Sequence, residues 1–397
     1  YTTLFRSARG KSKREESGAK HAGAKERCPG PGTVFAREGD LLLRLRLLPM
    51  RHCLLLTLSV LFLSEAPAQA DKRLAPACIG WYNVENLYDT IDSPDTDDAE
   101  WLPSAPKNWS GDRYRIKLEH MARVIGEVAR NLHPEGLACL GMCEIENRGV
   151  LEDLVKTAPI AQRGYRIVHH DGPDRRGVDV AFLYDPERFT YVNHDAYPLI
   201  DPQDSSFRTR EQLVVTGVLD GDTMSFIMAH WPSRRGGEKR SQPKRFLAAK
   251  LGRHIVDSLL ALNSNARIIY MGDLNDDPVD PSVRRMFGTT EDKAQVGASR
   301  FFNPMQPLYE KGIGSLAWSD SWNLFDQMLL SPALATGSGN GYRYYGTRVF
   351  NEPYLAQQDG NFKGYPFRIY VGDNFTGGFS DHFPVFTILV KDITPQP

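Results

Sequence analysis

Cysteine is scarce, with five in 397 residues, and a basic excess is missing. The apolar run from Cys53 to Leu63 is too short to span the roughly 30 Å bilayer core as a helix. No stable membrane anchor is therefore expected. Cysteine and histidine show no zinc-ligand spacing, which disfavours a zinc centre. There is no internal repeat and no long linker, so solenoid and multidomain arrays are excluded.

The cysteines are too few for a disulfide framework. Cys28 and Cys53 precede the expected mature chain, leaving Cys78, Cys139 and Cys143. Cys139 and Cys143 share strand parity in an apolar run and read as buried thiols. A single disulfide remains open if the chain is exported.

What is present begins with a leader pattern. Met50, Arg51 and His52 precede the apolar run, and Ala66-Pro67-Ala68-Gln69-Ala70 follows it. A charged start, an apolar core and small residues at a cleavage site are the marks of a signal peptide. The expectation is cleavage after Ala70 and a secreted or periplasmic protein. A buried core helix is the other reading. Residues 1–49 are rich in Arg, Lys, Gly and Ala and show no sustained periodicity. They read as upstream sequence carried through from a misplaced start, or else as a basic tail for nucleic acid. Residues 71–397 hold 36 Lys+Arg against 43 Asp+Glu, a net charge of −7. A broad electrostatic grip on a polyanion is thereby excluded, and any such contact must come from a local basic patch or a metal.

Residues 71–397 read as one domain. Ala77 to Asn83, Leu137 to Cys143, Val178 to Tyr184, Met224 to Ala229, Arg267 to Met271, Gln327 to Leu330 and Val385 to Val390 have strand length and character. Tyr114, Leu118, Met121, Ile125, Val128 and Leu132 recur at helical spacing, and residues 242–262 predict a second amphipathic helix. Residues 92–112 read as a loop. The mixture lacks a strict βαβ rhythm, which suggests packed sheets with helices outside.

Several strands end in groups able to do chemistry. They are Asn83-Val84-Glu85-Asn86, Glu144-Ile145-Glu146-Asn147, His230-Trp231-Pro232-Ser233 and Gly272-Asp273-Leu274-Asn275. Ser380-Asp381-His382 precedes the last strand. Hard oxygen donors with amides suit Mg²⁺, Mn²⁺ or Ca²⁺. Each motif alone has a bland reading, since Asp and Asn favour turns. Glu144 is less bland, because a carboxylate after an apolar strand needs a partner or a metal.

In this order the motifs resemble those of the endonuclease/exonuclease/phosphatase superfamily, the deoxyribonuclease I-like group, from about Ile79 to Leu389. Tyr82 to Asp89, Arg176 to Tyr184, His230 to Gly237 and Gly378 to Pro384 resemble an exported bacterial branch. The resemblance implies an α/β two-sheet sandwich flanked by helices, four layers in the order α/β/β/α. It implies Mg²⁺ as cofactor and metal ligation by Glu144, with Glu85 and Asp381 as further acidic candidates. Asn83 matches the amide beside the scissile phosphate. Asp273 and Asn275 match the pair that handles the attacking water and a phosphate oxygen. His382 matches the family histidine, Asp326 the carboxylate that orients it, and His230 a group near the phosphate. Ser233 stands where many nucleases have Asn.

The chemistry holds without the resemblance. Phosphodiester hydrolysis needs an oriented water, neutralised phosphoryl oxygens and help for the leaving oxygen. Which of Asp273 and His382 is the base stays open at this point. Arg234 and Arg235, in the run Arg234 to Arg240 with Lys244 and Arg245 after it, read equally as phosphate contacts or as a solvated loop. Arg175-Arg176 reads the same way, with the solvated loop ahead. The expected function is an exported endonuclease acting on nucleic acid as a monomer. A phosphatase or phospholipase on inositol phosphates or a lipid head group is the rival, and a non-catalytic binding protein a third reading.

Overall fold

The computed structural model describes residues 73–337 and 339–394, so the leader and residues 1–49 lie outside the described residues. The strands of its two large sheets are, in chain order, β1 (Leu74–Leu87), β2 (Leu137–Ile145), β3 (Arg166–His169), β4 (Asp179–Tyr184), β5 (Phe189–Tyr197), β6 (Gln212–Leu219), β7 (Asp222–His230), β8 (Arg267–Asp273), β9 (Thr289–Thr290), β10 (Phe301–Phe302), β11 (Asp326–Leu330), β12 (Arg343–Val349) and β13 (Val385–Asp392). The first sheet has the order β12-β13-β1-β2-β4-β3 and the second β5-β6-β7-β8-β11-β10-β9. Both are mixed: β1 runs parallel to β2 and β7 to β8, while the other long neighbours are antiparallel.

Period-two alternation places one face of each sheet in a shared core. Ala77, Ile79 and Trp81 of β1 meet Leu213, Met228, Met271 and Met328 of the second sheet. The opposite faces are covered by helices. Helices α1 (Gly111–Glu127) and α2 (Arg148–Lys156) close the first sheet, packing Leu118, Met121, Ile125, Leu151 and Leu154 on Tyr82, Leu140 and Met142. Helix α3 (Glu238–Leu262) closes the second, with Ala248, Ile255 and Val256 against Ile227, Ile268 and Tyr270. Each such fully buried aliphatic side chain contributes about 1.5–3 kcal/mol. This is the four-layer sandwich that the motif order implies.

Helix α1 starts at the cap Ser110, whose hydroxyl accepts the Arg113 N–H. It ends before Leu132, because Val128 turns extended and Ala129 takes a positive φ of 62°. The expected loop at 92–112 carries a short 3₁₀ turn at Ala99–Trp101, and Trp101 stacks on Tyr88 with ring centroids 5.1 Å apart. Cys78, Cys139 and Cys143 are free and buried, so the three thiols are packing groups. Among the described residues no helix is long and apolar enough to cross a membrane.

Candidate active site

The two sheets bring their chemistry-bearing strand ends to one place. In the second sheet His230, the last residue of β7, stands in register with Asp273, the last of β8. Asp326, the first of antiparallel β11, faces Asp273 from the other side. In the first sheet Asn83 lies beside Cys143 of β2, one residue before Glu144. Two hydrogen bonds then cross between the sheets. Trp81 Nε1 donates to Asp326 Oδ1 at 2.9 Å, and Asn83 Nδ2 donates to Asp273 Oδ2 at 3.1 Å.

Breaks in strand regularity aim the side chains. The β1–β2 register shifts between Asn83 and Leu87, and the β2–β4 register between Cys143 and Ile145. Glu85, Asn86, Glu144 and Asn275 take positive φ values of 52°, 57°, 64° and 51°. Two of these four strained non-glycine residues, Glu144 and Asn275, line one cavity.

That cavity has a volume of about 350 Å³ and is lined by Asn83, Glu144, Asp174, Arg175, Arg176, Arg210, His230, Ser233, Arg235, Asp273, Asn275, Asp381 and His382. Asp326 lies behind the wall. Its Oδ2 accepts from His382 Nδ1 at 2.6 Å and from Ser315 Oγ at 2.5 Å. This fixes the imidazole with Nε2 toward the cavity, 4.0 Å from Asp273 Oδ2 and 3.9 Å from Asp381 Oδ1. Ser380 accepts the His382 N–H at 3.1 Å and donates to Asn83 O at 2.7 Å, tying the histidine loop to β1.

Charge distribution assigns different states to the groups. Burial works to lower the His382 pKa, but the charge and hydrogen bond of Asp326 outweigh it and raise the value well above the ordinary one. His382 is therefore an imidazolium at neutral pH. Burial pushes Asp273 up to about 7, against the opposing pull of His382. Burial, with Arg210 and Arg176 beside it, lowers His230 well below the usual histidine value, so its imidazole is neutral. A cationic imidazole and a carboxylate raised by burial thus occupy one buried cluster, groups that can serve as acid and base.

Glu144 accepts the Asn86 N–H on Oε2 at 2.9 Å, and its Oε1 lies 3.8 Å from the Arg176 guanidinium. Asp381 keeps Oδ1 toward the cavity while Oδ2 accepts from Arg368 at 3.0 Å. Glu85 does not line the cavity. Its Oε2 accepts the Ile369 N–H at 2.8 Å, and burial and Asp381 push its carboxyl up to about 8. Glu144, Glu85 and Asp381 thus form no three-ligand cage. Among the described residues the one close grouping of three such ligands lies elsewhere, at His169, Asp171 and Asp179. One or two carboxylates with amides nearby still fit Mg²⁺, which keeps several waters and binds through substrate phosphate.

Arg234 departs from the expected phosphate contact. It does not reach the cavity, because Asp280, Asp276 and Asp277 hold its guanidinium at 2.7, 3.1 and 3.6 Å and it lies over the Phe325 ring. Its neighbour Arg235 does line the cavity. Asp174 and Arg210 belong to no motif in the sequence, and Arg176 reads there as part of a solvated loop, yet all three line the cavity. Arg210 donates to Asp174 Oδ2 at 3.0 Å and to Trp231 O at 2.9 Å, both partners buried. The Asp174-Arg175-Arg176 run carried a weak signal, but nothing local marks Arg210 as a wall of the site.

A family model described as "Endonuclease/Exonuclease/phosphatase family" matches residues 78–391. The chain belongs to this family. Its members are phosphoric ester hydrolases and generally depend on a divalent metal. Solved structures resemble the chain at low identity. One is a family protein from Bacteroides thetaiotaomicron, 17% identical over 81% of this chain and 97% of that one, with a TM-score of 0.47. A mannosyl-6-phosphatase from the same organism is 17% identical over 79% and 99%, also at 0.47. D. rerio TDP2 in complex with a single-strand DNA product is 13% identical over 79% and 99%, again at 0.47. Among curated proteins none matches the chain.

Proposed function

We propose that this family member is a Mg²⁺-dependent phosphodiesterase that hydrolyses nucleic acid outside the cytoplasm. A second cavity carries the choice of substrate. It has a volume of about 450 Å³, shares Arg210, Ser233 and Arg235 with the first, and adds Arg208, Arg240 and Lys244. Five cations beside a catalytic cavity, on a chain whose residues 71–397 carry −7, match a substrate with further phosphates next to the scissile one. A phosphomonoester of a single sugar has no second phosphate to place there.

In this reading the phosphate enters between Asn83, His382 and the arginines. Asp273, held by Asn83 and by the Asn275 N–H, orients the attacking water and takes its proton. His382, kept cationic by Asp326, donates from Nε2 to a phosphoryl oxygen as charge builds there. The ester P–O bond breaks as the new one forms, and the departing oxygen takes a proton from water. Arg176 and Arg210 add positive charge fixed by Glu144 and Asp174. A divalent ion on Glu144, when bound, supplies Lewis-acid neutralisation of the same oxygens.

One observation favours a second reading, a sugar-phosphate hydrolase. A cavity of about 400 Å³ lined by Trp318, Phe362 and Tyr365 adjoins the site through Asp381, and aromatic faces also stack on sugar rings. The deciding assay supplies purified full chain and Mg²⁺ with plasmid DNA, RNA, bis(p-nitrophenyl) phosphate, a hexose 6-phosphate, an inositol phosphate and sphingomyelin. Nucleic acid cleaved far faster than the monoesters supports the proposal. Turnover of the hexose phosphate alone replaces it with the second reading. Export is part of the proposal and rests on the leader pattern at residues 50–70. N-terminal sequencing of native protein is expected to start at or near Asp71, and a chain retaining residues 1–49 refutes it.

A further inference from the structure

A second group of potential ligands lies away from the catalytic cavity, where β3 ends and β4 begins. His169 is the last residue of β3, Asp179 the first of β4, and Asp171 stands in the connection between them. One ligand atom from each lies within 4.8 Å of the others. The His169 side chain is only 2% exposed, and its Nε2 has no hydrogen-bond partner. That orphaned nitrogen points toward Asp179 Oδ2, 3.4 Å away and misaligned for a hydrogen bond.

The separation has a chemical meaning. Ligands at about 2.0–2.2 Å around a tetrahedral ion sit about 3.3–3.5 Å from one another. A buried polar nitrogen left without a partner costs about 1–3 kcal/mol, so the arrangement asks for something between the two atoms. Asp179 is already set as a ligand, since its Oδ1 accepts the Gly172 N–H at 3.0 Å and Oδ2 is left toward the histidine. Asp171, with its side chain 82% exposed, has Oδ1 3.6 Å from the other ring nitrogen, Nδ1, and is the third residue of the grouping. One imidazole with two carboxylates suits an ion of intermediate softness.

We propose that His169, Asp171 and Asp179, a grouping made by the β3–β4 connection and invisible to Cys/His spacing, form a structural site for Zn²⁺ or Mn²⁺, separate from the catalytic centre. An ion there clamps both ends of the β3–β4 connection. That connection supplies Asp174, Arg175 and Arg176 to the catalytic cavity. The site thus positions groups of the active centre without touching substrate. The bland reading is a histidine flanked by two carboxylates with no ion, and it is an outcome of the test.

The full chain is stripped with EDTA and re-equilibrated with Zn²⁺ or Mn²⁺. Bound ions per chain are counted by mass spectrometry, and melting temperature is followed as metal is added. The parent and Glu144→Gln are expected to melt higher with the ion. His169→Gln is expected to hold one ion fewer than the parent. Asp171→Asn, at an exposed position, is expected to keep the metal-free melting temperature and bind the ion at least about tenfold more weakly. Should His169→Gln fail to fold, Asp171→Asn decides alone. Equal ion counts and affinities in Asp171→Asn and the parent overturn the proposal.

Discussion

His382 Nδ1 lies 2.6 Å from Asp326 Oδ2, although the two residues are 56 positions apart in sequence. The contact joins the start of β11 to the loop before β13 and so spans both sheets. It orients the imidazole and holds it protonated.

If the two residues act as a unit, Asp326→Ala and His382→Ala each lower kcat by orders of magnitude. The double variant is then little worse than the worse single one, since such effects are not additive. Steady-state kinetics of the three variants check this. Fully multiplicative losses mean that the residues act independently.

The pH profile has a predicted shape. Asp273, pushed up to about 7 by burial, works as a base only once deprotonated, so activity rises with pH up to about 7. A bound cation lowers that limb. His382 works while charged, and Asp326 raises its value, so activity falls only well above the usual histidine range. Asp326→Asn removes that raising charge and moves the alkaline limb to lower pH. A pH–kcat/KM profile of the variant with an unmoved alkaline limb refutes the assignment.

Most of this geometry was legible in the sequence because it lies at strand ends, where apolar runs stop at Asn83, Glu144, His230 and Asp273. Seven strands and helices α1 and α3 are legible for their apolar runs and helical spacing, whereas the mostly buried strand β6 and the nine-residue helix α2 are not. Nor is strand β5, because it is an edge strand with Thr190 to Asp195 exposed on both faces, so burial leaves no alternation to read. Arg210 and Asp174 were missed because their pairing is made by the fold and not by spacing. Arg234 and Arg235 are adjacent and chemically alike. Only the acidic turn Asp276 to Asp280 separates their roles.

That separation is testable. Arg234→Ala lowers stability by about 2 kcal/mol, the scale of lost hydrogen bonds to charged groups, and leaves kcat/KM on nucleic acid within about threefold. Arg235→Ala does the reverse, with a loss of roughly tenfold in kcat/KM and little change in melting temperature. Thermal denaturation and kinetics on both variants check it. An Arg234→Ala enzyme that folds normally but fails on substrate restores it as a phosphate contact.

The buried pair Arg210–Asp174, at 3.0 Å and with both side chains under one-tenth exposed, predicts a structural cost as well. Asp174→Ala leaves the Arg210 guanidinium buried without its counter-ion. Removing one member of such a pair costs about 3–5 kcal/mol. Denaturant unfolding of Asp174→Ala measures it, and a loss under about 1 kcal/mol contradicts the pairing.

We propose a metal-dependent phosphodiester hydrolysis organised around Glu144. Its most direct measurement is cleavage of one plasmid by the parent and by Glu144→Gln, side by side, in Mg²⁺ and in EDTA. The account predicts that the parent cleaves in Mg²⁺ and stops in EDTA. It predicts that Glu144→Gln, with an unchanged circular dichroism spectrum, loses about a thousandfold in rate, the scale of removing one charged transition-state contact. Cleavage that persists in EDTA, or a Glu144→Gln enzyme as fast as the parent, contradicts it.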